Sequence, residues 1–287
     1  MASCHRPERL DLSRRVLSIR FGVVPMTRLA ALYIHPVKSM HRVDMTALEL
    51  DPWGPRGDRR WLVVAPDGRF MTQRQHPAMA RILTALNGET LHLTGSDGSE
   101  LRIDPPAPQA PAMTVSVWKD HAIAARDAGD EAAAWLSAIL GTACRLVHMA
   151  DPAHARPTEF GSVSFADGFP LLVTNTASLD DLNARLDQPV PMERFRPNIV
   201  IETDQPWAED EWRSIRIGTV ELDLVKPCSR CIVTTIDQES GTIPVPREPL
   251  KTMTGFRHRP GGVMFGQNAV IRQAGTIRLG DAVELIG

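Results

Sequence analysis

From Leu29 onward, short β-branched runs recur between turn residues, and few stretches hold a 3.6-residue period long enough for a helix. That punctuation predicts a mainly β (α+β) fold with a few short helices, and so many short strands suggest two β-barrel-like domains, closed or nearly closed. Strands are expected over 30–35, 45–50 and 60–65, with 69–73 returning across Pro66-Asp67-Gly68 as a hairpin. A meander over 82–86, 90–94 and 100–103 follows, and Pro105, Pro106, Pro108 and Pro111 mark a long surface loop before a strand at 113–118. One helix is expected over 129–141, with Asp130 and Glu131 at its positive end and Gly141 as its stop. A second is expected over 178–186, where Ser178 and Asp181 resemble a capping box. Strands resume over 198–202, 215–217, 220–225, 232–236, 269–272, 276–279 and 282–286. A length of 287 residues suits two domains, expected at 27–145 and 146–287 behind a disordered tail or upstream start at 1–26.

Charge and cysteine usage narrow the function. The net charge is −2, so no global cation field exists for nucleic acid. The longest apolar runs fall far short of the roughly 20 residues that span a bilayer, so no membrane span is expected. Four scattered cysteines, Cys4, Cys144, Cys228 and Cys231, do not make a disulfide framework and imply a reducing, cytoplasmic setting. No P-loop, dinucleotide fingerprint, H-E-x-x-H or G-x-S-x-G occurs, and no histidine sits at zinc-ligand spacing from the cysteines.

The one close pair, Cys228 and Cys231, lies in Lys226-Pro227-Cys228-Ser229-Arg230-Cys231, expected as a polar loop at the rim of a sheet after the strand 220–225. Two thiols and two cations meet there, and thiolate is the form that acts as nucleophile or metal ligand. Two half-buried cysteines without chemistry are the alternative. Of 32 cationic side chains only Lys38, Lys119, Lys226 and Lys251 are lysines, so a lysine retained in a motif points to a place that needs a compact ammonium.

Together with Arg194-Phe195-Arg196-Pro197-Asn198, Asp237-Gln238-Glu239-Ser240-Gly241 and Phe265-Gly266-Gln267-Asn268, this segment resembles the MOSC domain of molybdenum-cofactor proteins. Tyr33-Ile34-His35-Pro36-Val37-Lys38-Ser39 and the segment from Gly57 to Val64 resemble the companion MOSC N-terminal β-barrel domain. From about Leu29 to the end, the chain resembles most closely the amidoxime-reducing component family and its YcbX-type bacterial relatives.

The resemblance implies a molybdenum–molybdopterin cofactor, with Cys231 as the protein's thiolate on the metal and Cys228 beside it. It nominates Lys38, Ser39, Arg59, Asp167, Arg196, Asn198, Ser229, Arg230 and Cys231 for cofactor binding, the cations serving a terminal phosphate. Cys231 and Asp167 are the implied catalytic residues, Asp167 either as general acid or as a carboxylate orienting a cofactor nitrogen. The implied reaction removes oxygen from small N-hydroxylated compounds with electrons from a separate partner, a flavin reductase with a ferredoxin or cytochrome b5-like carrier. Asp167-Gly168-Phe169 stands where the family often has Asp-Thr-Ser, and Asn268 where it has Tyr, which implies an altered substrate range. Two other readings share these residues: a non-enzymatic carrier of the cofactor or its sulfur, and a dithiol redox protein using Cys228 and Cys231.

Overall fold

The computed structural model describes Met1 and residues 27–149, 151 and 154–286. The expected tail falls almost wholly outside them. The largest sheet has nine strands. Its order is Val43–Met45, Arg28–Ile34, Ile199–Glu202, Leu171–Asn175, Gly262–Gln273, Val220–Arg230, Ser214–Ile217 and Glu284–Leu285, with His258–Arg259 paired to Gly262–Gln273 off that line. The two edge strands have three and two residues and do not pair with each other, so the mainly β expectation holds while this sheet stays open rather than closing into a barrel.

Strand alternation sorts the side chains. Leu32 and Ile34 enter a core with Val173, Ile199, Leu222 and Ala269, whereas Tyr33 between them packs on the other face with Phe195, Val200, Met253 and Phe265. The two halves of the chain share sheets. Arg28–Ile34 pairs with Ile199–Glu202, and Ala47–Asp51 with Gly275–Arg278. A four-stranded sheet (Trp61–Val64, Arg145–His148, Asp120–Asp127, Ala112–Val117) and the meander Leu83–Asn87, Thr90–Thr94, Glu100–Ile103 complete the N-terminal half.

Helix α1 spans Asp130–Leu140 and stops at Gly141 in the left-handed region, φ 67°, as its sequence requires. Helix α2, Thr176–Asn183, starts two residues before Ser178, because Asn175 Oδ1 accepts from Ala177 N at 3.0 Å and caps it. Ser178 is buried and donates to Glu209 Oε2 at 2.7 Å, so it makes no capping box. Helix α3, Leu250–Arg257, had no expectation, since Gly255 and two threonines blur its apolar face.

Three further expectations are corrected. Residues 232–236 form a 3-10 turn rather than a strand, because Thr234 and Thr235 donate their hydroxyls to the carbonyls of Cys231 and Ile232 at 2.9 and 2.7 Å. The return strand 69–73 is reduced to single bridges at Arg69 and Phe70, and Thr72 then folds the chain by accepting from Arg74 N at 3.2 Å. The strand expected to end at 225 runs on to Arg230, so Cys228, Ser229 and Arg230 lie in the sheet and not in a loop.

Candidate cofactor and catalytic site

Where Val220–Arg230 passes Gly262–Gln273 the register shifts between Pro227 and Ser229, so that Phe265 and Gly266 form a bulge opposite Cys228. Gly266 has φ 73°, and a Cβ there would stand 2.7 Å from the Val173 carbonyl oxygen, so the glycine of Phe265-Gly266-Gln267 is required by close backbone approach. Cys231 follows in extended backbone and opens the 3-10 turn. Arg194 fixes that turn from below, donating to the carbonyls of Thr234 and Thr235 at 3.4 and 2.8 Å. Phe195 stacks on Phe265 with centroids 3.7 Å apart, and Arg196 continues to the cavity. One motif thus supplies a clamp, a core ring and a site cation.

The cavity measures about 350 Å³ and is lined by Lys38, Ser39, Arg59, Asp167, Arg196, Asn198, Cys228, Ser229, Arg230 and Cys231. Every nominated residue reaches it. Arg74 and Lys226 line it as well, so six cations face one carboxylate. Ser39, Arg59 and Arg196 hold left-handed backbones at φ 69°, 49° and 53°, each costing about 1–2 kcal/mol, a form of strain that concentrates at functional sites.

Asp58 organises the guanidinium groups. It is buried, accepts from His35 N at 2.7 Å and Asn198 Nδ2 at 3.2 Å, and pairs with Arg59 Nη1 at 2.6 Å. Burial opposes its ionisation, but Arg59 and His35 hold the carboxyl well below its ordinary range. Asn198 spends both ends of its amide on protein: Oδ1 accepts from Leu172 N and Arg59 Nη1, and Nδ2 donates to Asp58 and the Tyr33 carbonyl. Its visible work is to orient Arg59. Arg196 Nη1 donates to the Met40 carbonyl at 2.8 Å and Gln238 Oε1 at 3.1 Å, and burial with Arg59 and Arg230 nearby pushes it down to about 9.

On the other wall, the buried Lys38 Nζ donates to the Phe165 carbonyl at 2.7 Å and to Asp167 Oδ1 at 2.5 Å. Burial lowers the ammonium, with Asp167 opposing. Asp167 looks into the cavity, its side chain 65 % exposed to water yet walled by protein. That enclosure opposes ionisation, but Lys38, the Trp118 indole N–H at 2.8 Å and Arg74 outweigh it and hold the carboxyl well below its usual range. Arg74 stacks on Trp118, 4.5 Å from its centroid, and donates Nη2 to Cys231 Sγ at 3.0 Å. A relay of contacts thus links Lys38, Asp167, Trp118, Arg74 and Cys231. Sequence reasoning missed Arg74, Trp118 and Asp58; only Asp58, inside the quoted Gly57 to Val64 segment, carried a signal.

Each site sulfur has one guanidinium partner, since Arg230 Nη1 donates to Cys228 Sγ at 2.9 Å. Both thiols are free, and three residues of extended chain separate their Cα atoms by about 10 Å, beyond the roughly 7 Å a disulfide bridges. That counts against a dithiol couple. Ser229 turns its hydroxyl to the Gly261 carbonyl at 2.9 Å.

The donor set fits a group that brings its own metal ligands and an anionic tail. Among the described residues no cluster of three or more His, Cys, Asp or Glu could hold a metal ion. A dithiolene-bound metal asks the protein for one soft donor, which Cys231 can supply. Arg59, Arg196 and Arg230 crowd together, and the buried Nε of Arg230 lacks a hydrogen-bond partner, so an anion among them would relieve both repulsion and an unsatisfied donor. Arg74→Gln should leave the fold intact and lower activity about 10- to 100-fold by freeing Cys231 Sγ, read as kcat at unchanged thermal midpoint.

The MOSC N-terminal beta barrel domain matches residues 26–143 and the MOSC domain residues 161–284. Mitochondrial amidoxime-reducing component 1 of Mus musculus is 37 % identical over 283 residues, covering 90 % of this chain and 82 % of that protein. Its Homo sapiens counterpart is 35 % identical over 297 residues, covering 96 % and 86 %. The YUAD protein of Bacillus subtilis superposes at TM-score 0.42 with 14 % identity over 90 % of this chain and 95 % of that one. With both domain matches in order and this identity over nearly its whole length, the chain belongs to the amidoxime-reducing component family of MOSC-domain proteins.

Proposed function

We propose that this protein is a molybdenum-cofactor-dependent oxidoreductase that removes oxygen from small N-hydroxylated compounds. The observation that carries the reading is the meeting, in one cavity, of a free cysteine, Cys231, with a crowded set of guanidinium groups. When bound, the cofactor would supply the two-electron chemistry: an N–OH group, two electrons and two protons give N–H and water.

The chain's own residues would bind and orient. Cys231 would hold the metal, Arg59, Arg196 and Arg230 the phosphate, and Lys38 would keep Asp167 in place beside the pterin. An ionised carboxylate is a poor proton donor at neutral pH, so Asp167 serves the reading better as an orienting acceptor than as a general acid. Phe169, stacked on Phe160 at 5.5 Å, offers an apolar wall where the family often has a hydroxyl, and that favours substrates with a flat organic body. Electrons would come from a separate carrier.

The test is expression in a host that makes the cofactor, followed by molybdenum and pterin content and benzamidoxime reduction with reduced methyl viologen. Stoichiometric molybdenum with turnover is expected, whereas a folded, molybdenum-free and inactive protein overturns the reading. Cofactor retained without turnover but passed to an apo-enzyme would make the protein a carrier. Arg59→Ala and Arg196→Ala should each lower molybdenum content about tenfold or more, because each removes a charged donor from the phosphate seat. Lys38→Arg should also lose cofactor, since a fixed planar fork cannot repeat the contacts of Nζ with the Phe165 carbonyl and Asp167.

A further inference from the structure

Arg230 lines a second groove of about 580 Å³. Ile232, Ile243 and Leu250 form its apolar floor, and Arg230, Arg247 and Lys251 its cationic rim. Ile232 and Ile243 are 52 % and 43 % exposed. One exposed isoleucine needs no explanation, but two on one groove ringed by cations make a contact patch. No carboxylate lines the groove. Glu248, next in sequence to Arg247, turns its Oε2 to Thr252 N at 3.1 Å. Arg247 and Lys251 are both exposed and have no ion-pair partner among the described residues.

The rim is also pre-shaped. Pro244, Pro246 and Pro249 restrict the loop that carries Arg247, and Arg247 itself sits in the left-handed region at φ 67°. A docking surface ordered in advance spends little entropy when a partner arrives.

Position selects the partner. Ile232 is bonded to Cys231, so their Cα atoms lie about 3.8 Å apart, and a protein seated on Ile232 comes within one residue of the site sulfur. Arg230 bridges the two openings, with Nη1 on Cys228 Sγ and Nη2 on the Phe195 carbonyl at 2.6 Å. An occupant of this groove leaves the cavity free for substrate.

Resting on the reductase reading, we infer that the Ile232–Ile243 groove is the docking face for the electron carrier, and that the carrier is a protein with carboxylates ringing an apolar contact. The chain as a whole is slightly negative, so attraction of an acidic partner must be local to Arg247 and Lys251 and must weaken with salt.

The experiment uses the cofactor-loaded protein and follows benzamidoxime reduction with three reductants: methyl viologen, an acidic [2Fe–2S] ferredoxin with its reductase, and cytochrome b5 with its reductase. Arg247→Glu/Lys251→Glu should cut carrier-driven kcat/KM about tenfold or more through a raised KM for the carrier, and leave methyl viologen-driven turnover within about twofold. Raising salt from about 50 to about 300 mM should slow the wild type with its carrier and barely touch the double variant. Ile243→Ser should weaken carrier use without the change in salt slope. Unchanged carrier-driven rates in the double variant, an equal loss with all reductants, or a wild type served by methyl viologen but by neither protein carrier would each overturn the docking face. A wild type that methyl viologen cannot drive is a different failure, that of the reductase reading itself.

Discussion

Cys231→Ser is expected to abolish N-reductive turnover and to lower molybdenum retention more than about 100-fold, with the thermal midpoint of the apo-protein unchanged. The side chain is half-buried, takes one hydrogen bond from Arg74, and leads into a turn held by Arg194 and two threonine hydroxyls, none of which depends on sulfur. A serine keeps the backbone and the Arg74 contact but offers a short, hard, protonated oxygen to a centre already bound by sulfur. Cys228→Ser should cost no more than about tenfold, because that residue sits in the sheet opposite a strand bulge with its sulfur turned to Arg230. Metal analysis beside a viologen-driven assay separates the two variants. Equal loss of turnover from both, with molybdenum still bound in each, would return Cys228 and Cys231 to the dithiol reading despite the extended chain between them.

The contrast between these two cysteines marks how far the sequence could be read. Mainly β architecture, helix α1 and its glycine stop were legible because they depend on local patterning. The turn after Cys231 was not, since Ile232 to Ile236 reads as an apolar β-branched run, and only the threonine hydroxyls, bonding back to the carbonyls before them, decide against a strand. Leu171–Asn175, buried at every position in the middle of the nine-stranded sheet, lacks the alternation that reveals a strand with one wet face. In the site, Lys38, Arg59, Arg196 and Cys231 were nominated by motif, whereas Arg74 lay one residue past a segment expected as a strand and Trp118 at the end of another. Their roles arise from a stack and two hydrogen bonds across residues far apart in sequence, which no local pattern encodes. Asn198 shows the converse: it was placed at the cavity, but burial commits its amide to Arg59, Asp58 and two backbone groups.

Asp58→Ala should then be the most destabilising single change around the site, by about 3–5 kcal/mol in urea unfolding at pH 7. The carboxylate is 3 % exposed and is the only acid paired with Arg59 among the described residues, so its loss leaves a guanidinium only 15 % exposed beside Arg196 without a counter-charge, and strands the backbone N–H of His35. Its folded-state pKa lies below the ordinary 3.8, so its contribution is complete above about pH 5 and is lost as pH falls through the folded value. The stability gap between wild type and variant should therefore be constant from pH 8 to about pH 5 and narrow in more acidic solution. Taking the difference cancels the carboxylates the two proteins share. A divalent oxyanion such as sulfate should rescue the variant more than the wild type, because it can supply the negative charge that Asp58 otherwise places beside Arg59 and Arg196. A gap under about 1 kcal/mol at pH 7, or one that widens in acid, would mean that Arg59 is compensated by solvent and that the guanidinium cluster does not need an anion to stay folded.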